Sequence, residues 1–455
     1  LADRFARGHT GVLKHVPLSG KWYHWDGARW ARDELLIARD WMKAYLRGAA
    51  DKVLRRAPTS KEAARRLKGL AKTLSSAGMV KHILELASSD RRLTITPDAF
   101  DVDPWQLNTP AGIVDLRTGT VRPHDSEAML AKITNTGPDS TSGTPRWDRF
   151  LMETTGGDLE LIAYLKRLCG YCLTGLTTEQ AIIFIYGSGG NGKSVFLNTL
   201  IHVLGDYAKQ AAMSVFLATG RHEHPTELAT LQGARLVAAS ETNSRGVWNE
   251  ARLKSLSGGD RISARHLYGE HFEFTPALKL LLVGNTKPAF PGVDEAMRRR
   301  LHLVSFTRKP ATPDRELSEK LKEEAPGILA WMIAGCRAWQ DEGLNPPASV
   351  LEATHQYLDD QDSIGRWLAD TCVRGPELQA MNEELYSSYT TWCNSCGETP
   401  LRWNDLRARL VEKGLTPFQN SKLANRRGLK GLALRPTDEF GMPCDSASQA
   451  PEEAA

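Results

Sequence analysis

The sequence predicts an α/β protein: a central parallel sheet, preceded by a mixed α/β region and followed by a small, mainly helical domain. Three observations carry that prediction. Between Ala181 and about Thr307 the apolar runs "AIIFIY", "RLVAAS", "LKLLLVGN" and "LHLVSF" alternate with helical or loop segments, a pattern that specifies parallel strands covered by helices. The first run enters a glycine-rich loop that a helical stretch leaves, in "IIFIYGSGGNGKSVFLNTL". Outside this span the pattern changes, to short tryptophan-rich segments upstream and to helices with a basic segment downstream.

The elements follow in order. Residues 1–135 mix "KWYHWDGARW", a basic helical stretch and "GIVDLRTGTVRPH", which reads as a hairpin. Residues 136–180 read as a linker, "TGPDSTSGTPRW", and a helical segment in which Cys169 and Cys172 recur with leucines at helical spacing, hence as core. The sheet domain covers 181–343. A break at "GLNPPAS" precedes a C-terminal domain at 350–435, and the acidic end, 436–455, reads as disordered.

Composition narrows the classes. The 455 residues exceed one ordinary domain, and 41% apolar with 25% charged residues exclude a mostly disordered chain. No apolar run reaches the roughly 18 residues of a membrane span. The net charge of +4 is unevenly spread: Asp51 to Lys72 carries eight bases against two acids, and Leu401 to Lys430 repeats that ratio. Such runs are solvated helix faces or surfaces for phosphate backbones. Seven cysteines and no secretory pattern point to free thiols in a reducing cytoplasm. Cys393 and Cys396 lack a second pair at zinc-ligand spacing. Because the chain starts at Leu1, it reads as a fragment or processed piece, with room for an upstream domain.

The chemistry begins in the loop. Gly187, Gly192, Lys193 and Ser194 occupy the fixed positions of G-x-x-x-x-G-K-[ST], with Ser188, Gly189, Gly190 and Asn191 between them. A strand running in and a helix running out aim backbone N–H groups and the helix dipole at phosphate. Lys193 is placed for the β and γ phosphates of ATP and Ser194 for Mg²⁺. Hydrolysis also needs an acid, and Glu241 ends the strand of "RLVAASET". Ser240 replaces the first of the usual two acids, so Glu241 polarises the water and metal contact falls mainly to Ser194. Asn285 closes "LLLVGN", where an amide can reach both γ-phosphate and water. Arg298, Arg299 and Arg300 precede the last strand, either as a solvated run or as a guanidinium for a neighbour's nucleotide. Between these lies "LKSLSGGDRISARHLYGEHFEFTP", read as a hairpin bearing Lys254, Arg265, His266, Tyr268 and His271, suited to a single strand's phosphates and bases.

Taken in this order, the phosphate loop, "ASET", "KSLSGGDRISARHLYGEHFEF", "LLLVGNTKP" and "RRRLHLVSF" resemble superfamily 3 helicases, specifically the primase-helicases of phages and plasmids and their poxvirus relatives. "NTPAGIVDLRTGTVRPHD" and "WDRFLMETTGGDLELIAYLKRLCGYCLTG" resemble the family's region before the ATPase, and "DSIGRWLADTC" with "ELYSSYTTWC" its C-terminal region. The resemblance implies an AAA+-like P-loop ATPase that assembles as a homo-hexamer, hydrolyses ATP with Mg²⁺ between subunits and moves on single-stranded or forked DNA, usually 3′ to 5′. It implies roles for Glu241 on water, Asn285 as γ-phosphate sensor and Arg300 as the finger, with Arg299 the alternate. It also implies a winged-helix module at the C-terminal basic segment, a possible primase partner, and a bacterial host cytoplasm. Asp101 and Asp103 have the spacing of a primase's paired acids but fall in the pre-helicase region, and His222 and His224 read as loop.

Two other classes compete: a DNA-binding initiator or scaffold whose ATP use regulates assembly, and a small-molecule kinase. An arginine cluster and a basic hairpin have no use in a kinase.

Overall fold

The computed structural model describes residues 1–218, 225–240, 246–265, 269–290, 294–310, 312–420 and 426–436. They form two compact units, one of residues 1–289 and 299–353, the other of residues 290–298 and those from 354 onward.

The first unit is built on a five-stranded parallel sheet of β1 (Ile182–Tyr186), β2 (Ala208–Ala212), β3 (Leu236–Ser240), β4 (Lys279–Gly284) and β5 (Leu301–Ser305), in the spatial order β5-β1-β4-β3-β2. Four of these are the four apolar runs. The fifth, β2, reads "AKQAA" and is an edge strand with mostly exposed side chains, so no apolar pattern marks it. Register decides what the sheet can do. Tyr186 pairs with Gly284 and Ser305, and Ser240 pairs with Val283. The carboxyl ends of β1, β3, β4 and β5 are therefore flush, and the segments that follow them leave from one edge.

Helices Leu159–Tyr171 and Ala325–Glu342 pack on each other. A Cβ on Gly170 would lie 2.0 Å from the Cys336 nitrogen, and one on Gly335 2.1 Å from the Lys166 carbonyl oxygen, so glycine on both sides permits backbone contact. Cys169 and Cys172 are buried in this core, as their spacing predicts.

Residues 136–147 are not a free linker. Helix Pro145–Thr155 starts inside that stretch, Trp147 is fully buried, and the Glu324 carboxylate accepts the backbone N–H groups of Arg146 (3.1 Å) and Trp147 (3.0 Å). A capping acid supplied from elsewhere in the fold is invisible to local composition.

The upstream region is mixed α/β. Leu13–Val16, Lys21–Trp25 and Trp30–Arg32 form one antiparallel sheet, and Gln106–Thr109, Gly112–Asp115 and Thr120–Arg122 another, which contains the expected hairpin. Helices Ile37–Leu54, Lys61–Leu74 and Ala77–Ser88 lie between them in sequence. Asp101 accepts the Lys132 ammonium at 3.0 Å, and Asp103 lies 3.5 Å from Arg117 and caps the Trp105 N–H; both carboxylates have structural partners.

In the second unit, helix Ser363–Thr371, strand Cys372–Met381, helices Asn382–Cys396 and Trp403–Glu412, and strands Thr416–Asn420 and Arg426–Leu434 follow one another. The last strand is central in a three-stranded sheet. Leu385, Leu406, Leu410, Leu429 and Leu432 form its core with Trp367. Cys393 is buried and Cys396 exposed. The acidic end after residue 436 lies outside the described residues. Among the described residues no helix is long and apolar enough to cross a membrane.

One buried charge supports the sheet's amino edge. Lys279 is 2% exposed and donates to the carbonyls of Thr174, Leu176 (3.3 Å) and Ala277 (3.3 Å). Burial pushes its pKa down to about 7, with the nearby Arg235 cation acting in the same direction. The unfolded chain then holds a proton that the folded chain releases, from about pH 7 up to the ordinary lysine value of 10.5. Stability therefore rises with pH across that window. The thermal midpoint of the wild type relative to Lys279→Met is expected to climb between about pH 7 and about pH 9; parallel profiles would contradict a neutralised lysine.

Candidate nucleotide-binding site

The loop between β1 and helix Lys193–Leu204 is shaped by glycines whose lost freedom has a purpose. Gly190 and Gly192 adopt φ of +82° and +85°, where a side chain is strained. At Gly192 a Cβ would also lie 2.6 Å from Thr154 and 2.7 Å from the Phe150 ring, and at Gly187 one would lie 1.9 Å from the Phe306 carbonyl oxygen. Helix Pro145–Thr155 and the exit of β5 thus press directly on the loop. The Asn191 amide donates to the Phe306 carbonyl; Trp147 stacks on Phe196 at 5.6 Å, and Phe196 meets Phe306 edge to face at 5.7 Å.

Gly192 caps the helix without a side-chain acceptor, which leaves the first-turn N–H groups to an anion. Lys193 is buried, and its ammonium donates to the Gly187 carbonyl (2.7 Å), the Ser188 carbonyl (3.2 Å) and the Asn191 side-chain oxygen (2.7 Å). Burial lowers its pKa from the ordinary value. Ser194, one residue on, is exposed to the cavity.

That cavity has a volume of about 790 Å³, enough for a nucleotide by the usual range of ligand pockets. Its walls bring together Gly189 to Ser194, Ser240 at the end of β3, and Asn285 just past β4. Glu241, the proposed acid, lies outside the described residues, and Ser240 marks the strand end from which it follows. The Ser194 hydroxyl is a hard oxygen donor at a helix N-terminus. It is the kind of ligand Mg²⁺ accepts alongside phosphate oxygens.

The other wall was not anticipated. Arg146, Arg149, Phe150, Glu153 and Thr154 line it from one face of helix Pro145–Thr155, and Pro313 and Leu317 line it as well. Their spacing of three and four in "RWDRFLMETT" is a legible helical face, though nothing local says that the face meets the loop. Arg146 is engaged with Glu323 at 2.6 Å, and Lys320 with Asp314 at 2.8 Å.

The arginine cluster is elsewhere. The Arg300 carbonyl accepts the Ile182 N–H at 2.7 Å, at the amino edge of the sheet. The loop leaves the opposite edge, about 16 Å away along five strand residues. Arg300 is 8% exposed, whereas Arg299 is exposed. Arg298, in the second unit, pairs with Asp359 at 2.8 Å.

The hairpin forms: Ile262–Arg265 pairs antiparallel with His271–Phe274, and Arg265 faces His271 across the register. Both are exposed. His266 and Tyr268 lie outside the described residues, as do His222 and His224. Lys254 is not on the hairpin. It sits on the preceding helix, Glu250–Gly258, 3.5 Å from Glu250 one turn earlier, because "LKSLSGG" holds a helix to a glycine in the left-handed region at Gly259.

Gly192→Ala is expected to abolish nucleotide binding, because the methyl group must displace the Phe150 ring or the loop itself, and to lower stability by roughly 1–3 kcal/mol. Calorimetric titration with ATP and a thermal melt check both; binding within twofold of wild type would show that the loop can relax.

Residues 1–156 match the family described as D5 N terminal like, and residues 185–300 match a family of unknown function, DUF5906. Over 352 residues, 70% of this chain, the sequence is 27% identical to a protein of Acanthamoeba polyphaga mimivirus. Over 257 residues, 51% of this chain, it is 28% identical to one of Frog virus 3. Both of those proteins bear the name "putative helicase". The chain spans 36% and 26% of their lengths. In fold it is similar to the apo C-terminal region of NrS-1, with a TM-score of 0.52 at 10% identity over 94% of this chain and 98% of that one. A second structure of that region, the A form, gives 0.51 at 9% identity, over 92% and 96%.

Proposed function

We propose, on the premise that this chain is a D5-like member of the primase-helicase family, that it is an ATP-dependent DNA helicase motor acting as a ring on single-stranded DNA. One observation carries the reading: the phosphate loop, the end of β3 and Asn285 open into a single cavity at the flush carboxyl edge of a parallel sheet. An anion cradle beside a strand-end amide, with Glu241 next in sequence after Ser240 to supply the acid, is the set that γ-phosphate hydrolysis needs.

In this reading residues 181–343 form an AAA+-like P-loop ATPase. Lys193 neutralises phosphate charge, Glu241 takes a proton from water, and Asn285 senses the γ-phosphate. When bound through Ser194 and the phosphates, Mg²⁺ would neutralise charge developing on the phosphate oxygens. Because Arg299 and Arg300 sit at the sheet edge away from their own loop, a guanidinium from this pair would serve a neighbouring subunit, as in a hexamer. Exposure favours Arg299 over Arg300 for that part. Residues 350–435 form a winged-helix-like DNA-binding domain, for which the succession helix, strand, helix, helix, strand, strand speaks. Arg265 and His271 on the hairpin would face DNA.

Lys193→Ala is expected to cut ATP turnover by at least about 100-fold, measured as phosphate release; undiminished turnover would remove the site assignment. Mixing Arg299→Ala subunits with wild type is expected to depress activity faster than dilution, and the same titration with Arg300→Ala ranks the two. A strictly proportional decline in both would refute a shared site. Fork unwinding with and without ATP decides the function itself, since ATP turnover without strand separation would favour a DNA-binding initiator.

A further inference from the structure

The motor reading makes no use of the helical layer near the amino terminus, yet that layer holds the most concentrated charge in the chain. Between Asp51 and Lys72 eight bases meet two acids, a local excess of six where the whole chain nets only +4. Helix Lys61–Leu74 orders that charge. Lys61, Arg65, Lys68 and Lys72 follow at intervals of four, three and four, so they form one stripe about 16 Å long. All four are exposed. Among the described residues the one ion pair on this helix joins Arg66 to Glu62, at 2.6 Å, about a quarter-turn off the stripe.

The opposite flank is already occupied. Ala71 and Leu74 are buried in a cluster with Leu46, Ala50 and Val80, so the helix has spent its apolar face on the protein core. Leu70 is its one exposed large apolar side chain, at 49%. A helix that lies on a lipid surface needs that apolar face free; this one exposes its cations and a single large apolar side chain. At the end of the preceding helix, Lys52, Arg55 and Arg56 extend the exposed positive surface.

We propose that the Lys61–Leu74 helix is a nucleic-acid backbone site separate from the motor cavity, holding DNA phosphates without reading bases. Four cations over about 16 Å match about five phosphates of one duplex strand at 3.4 Å each. Arginine and lysine on a rigid helix supply position and counterion release, with no aromatic side chain on the stripe to stack on bases. The site goes beyond the motor reading and stands or falls without ATP.

The test uses the full chain with Lys61, Arg65, Lys68 and Lys72 all changed to Gln, which keeps helix propensity. Fluorescence anisotropy, without nucleotide, follows binding to labelled oligo-dT and to a duplex of equal length across a salt series. The slope of log affinity against log salt is expected to fall by about 3 for the single strand or about 4 for the duplex, and a full loss in one arm with an unaltered slope in the other identifies the strand form held. ATP turnover without DNA and the thermal midpoint should not change. An unaltered slope on both probes, or wild-type protein that binds neither, overturns the proposal. So does a variant that loses binding to vesicles of anionic lipid and not to DNA, which would indicate a membrane surface. Lys61→Arg, Lys68→Arg and Lys72→Arg together keep the charge and should keep the slope; loss there too would mean that shape and not charge is responsible.

Discussion

The structure depends on the register of β1 between β4 and β5. Parallel strands of nearly equal length, paired so that Tyr186, Gly284 and Ser305 are level, bring three chain segments out at one edge. The parallel hydrogen-bond ladder holds this register, and a slip of one residue would break it and move Asn285 relative to the glycine-rich loop. The same pairing sends the residues before β5 to the other edge. The glycine-rich loop and the backbone of Arg300 thus sit at opposite ends of one sheet.

Close packing shapes the cavity at that edge. Gly192 touches Phe150 and Thr154, and Gly187 touches the Phe306 carbonyl, so the loop is clamped between an upstream helix and the strand that follows Arg300. Preorganisation of this kind lets a backbone cradle hold an anion without rearranging. The burial of Lys193 belongs to the same arrangement: its ammonium is held among the carbonyls of its own loop. Glu324 performs a related service for the upstream helix, capping its first turn from a distance of almost 180 residues in sequence, and so fixes the cavity wall that Arg149 and Glu153 line.

Much of this was legible beforehand. Four of five strands, the loop, the hairpin at 262–274 and the upstream hairpin at 112–122 have local causes: β-branched or aromatic runs, glycines at required positions, and turn residues between alternating segments. What escaped had no local cause. β2 is polar because it is an edge. Lys254 belongs to a helix because Gly259 ends it, while its basic neighbours in sequence suggested a strand. The stretch at 136–147 has a linker's composition and a core residue's burial, since Trp147 finds its partners in Phe196 and Trp331.

The sequence by itself determined the candidate groups, because the glycine-rich loop's spacing, Asn285 at a strand end and the arginines before the last strand are each read from a short stretch whose geometry is local. The tertiary structure decided which of those groups share a cavity, that helix Pro145–Thr155 lines it, that Arg299 is exposed while Arg300 is buried, and that Lys61, Arg65, Lys68 and Lys72 are all exposed on one helix. Those outcomes depend on contacts between residues far apart in the chain, where packing density and burial choose among arrangements that local propensity leaves equal.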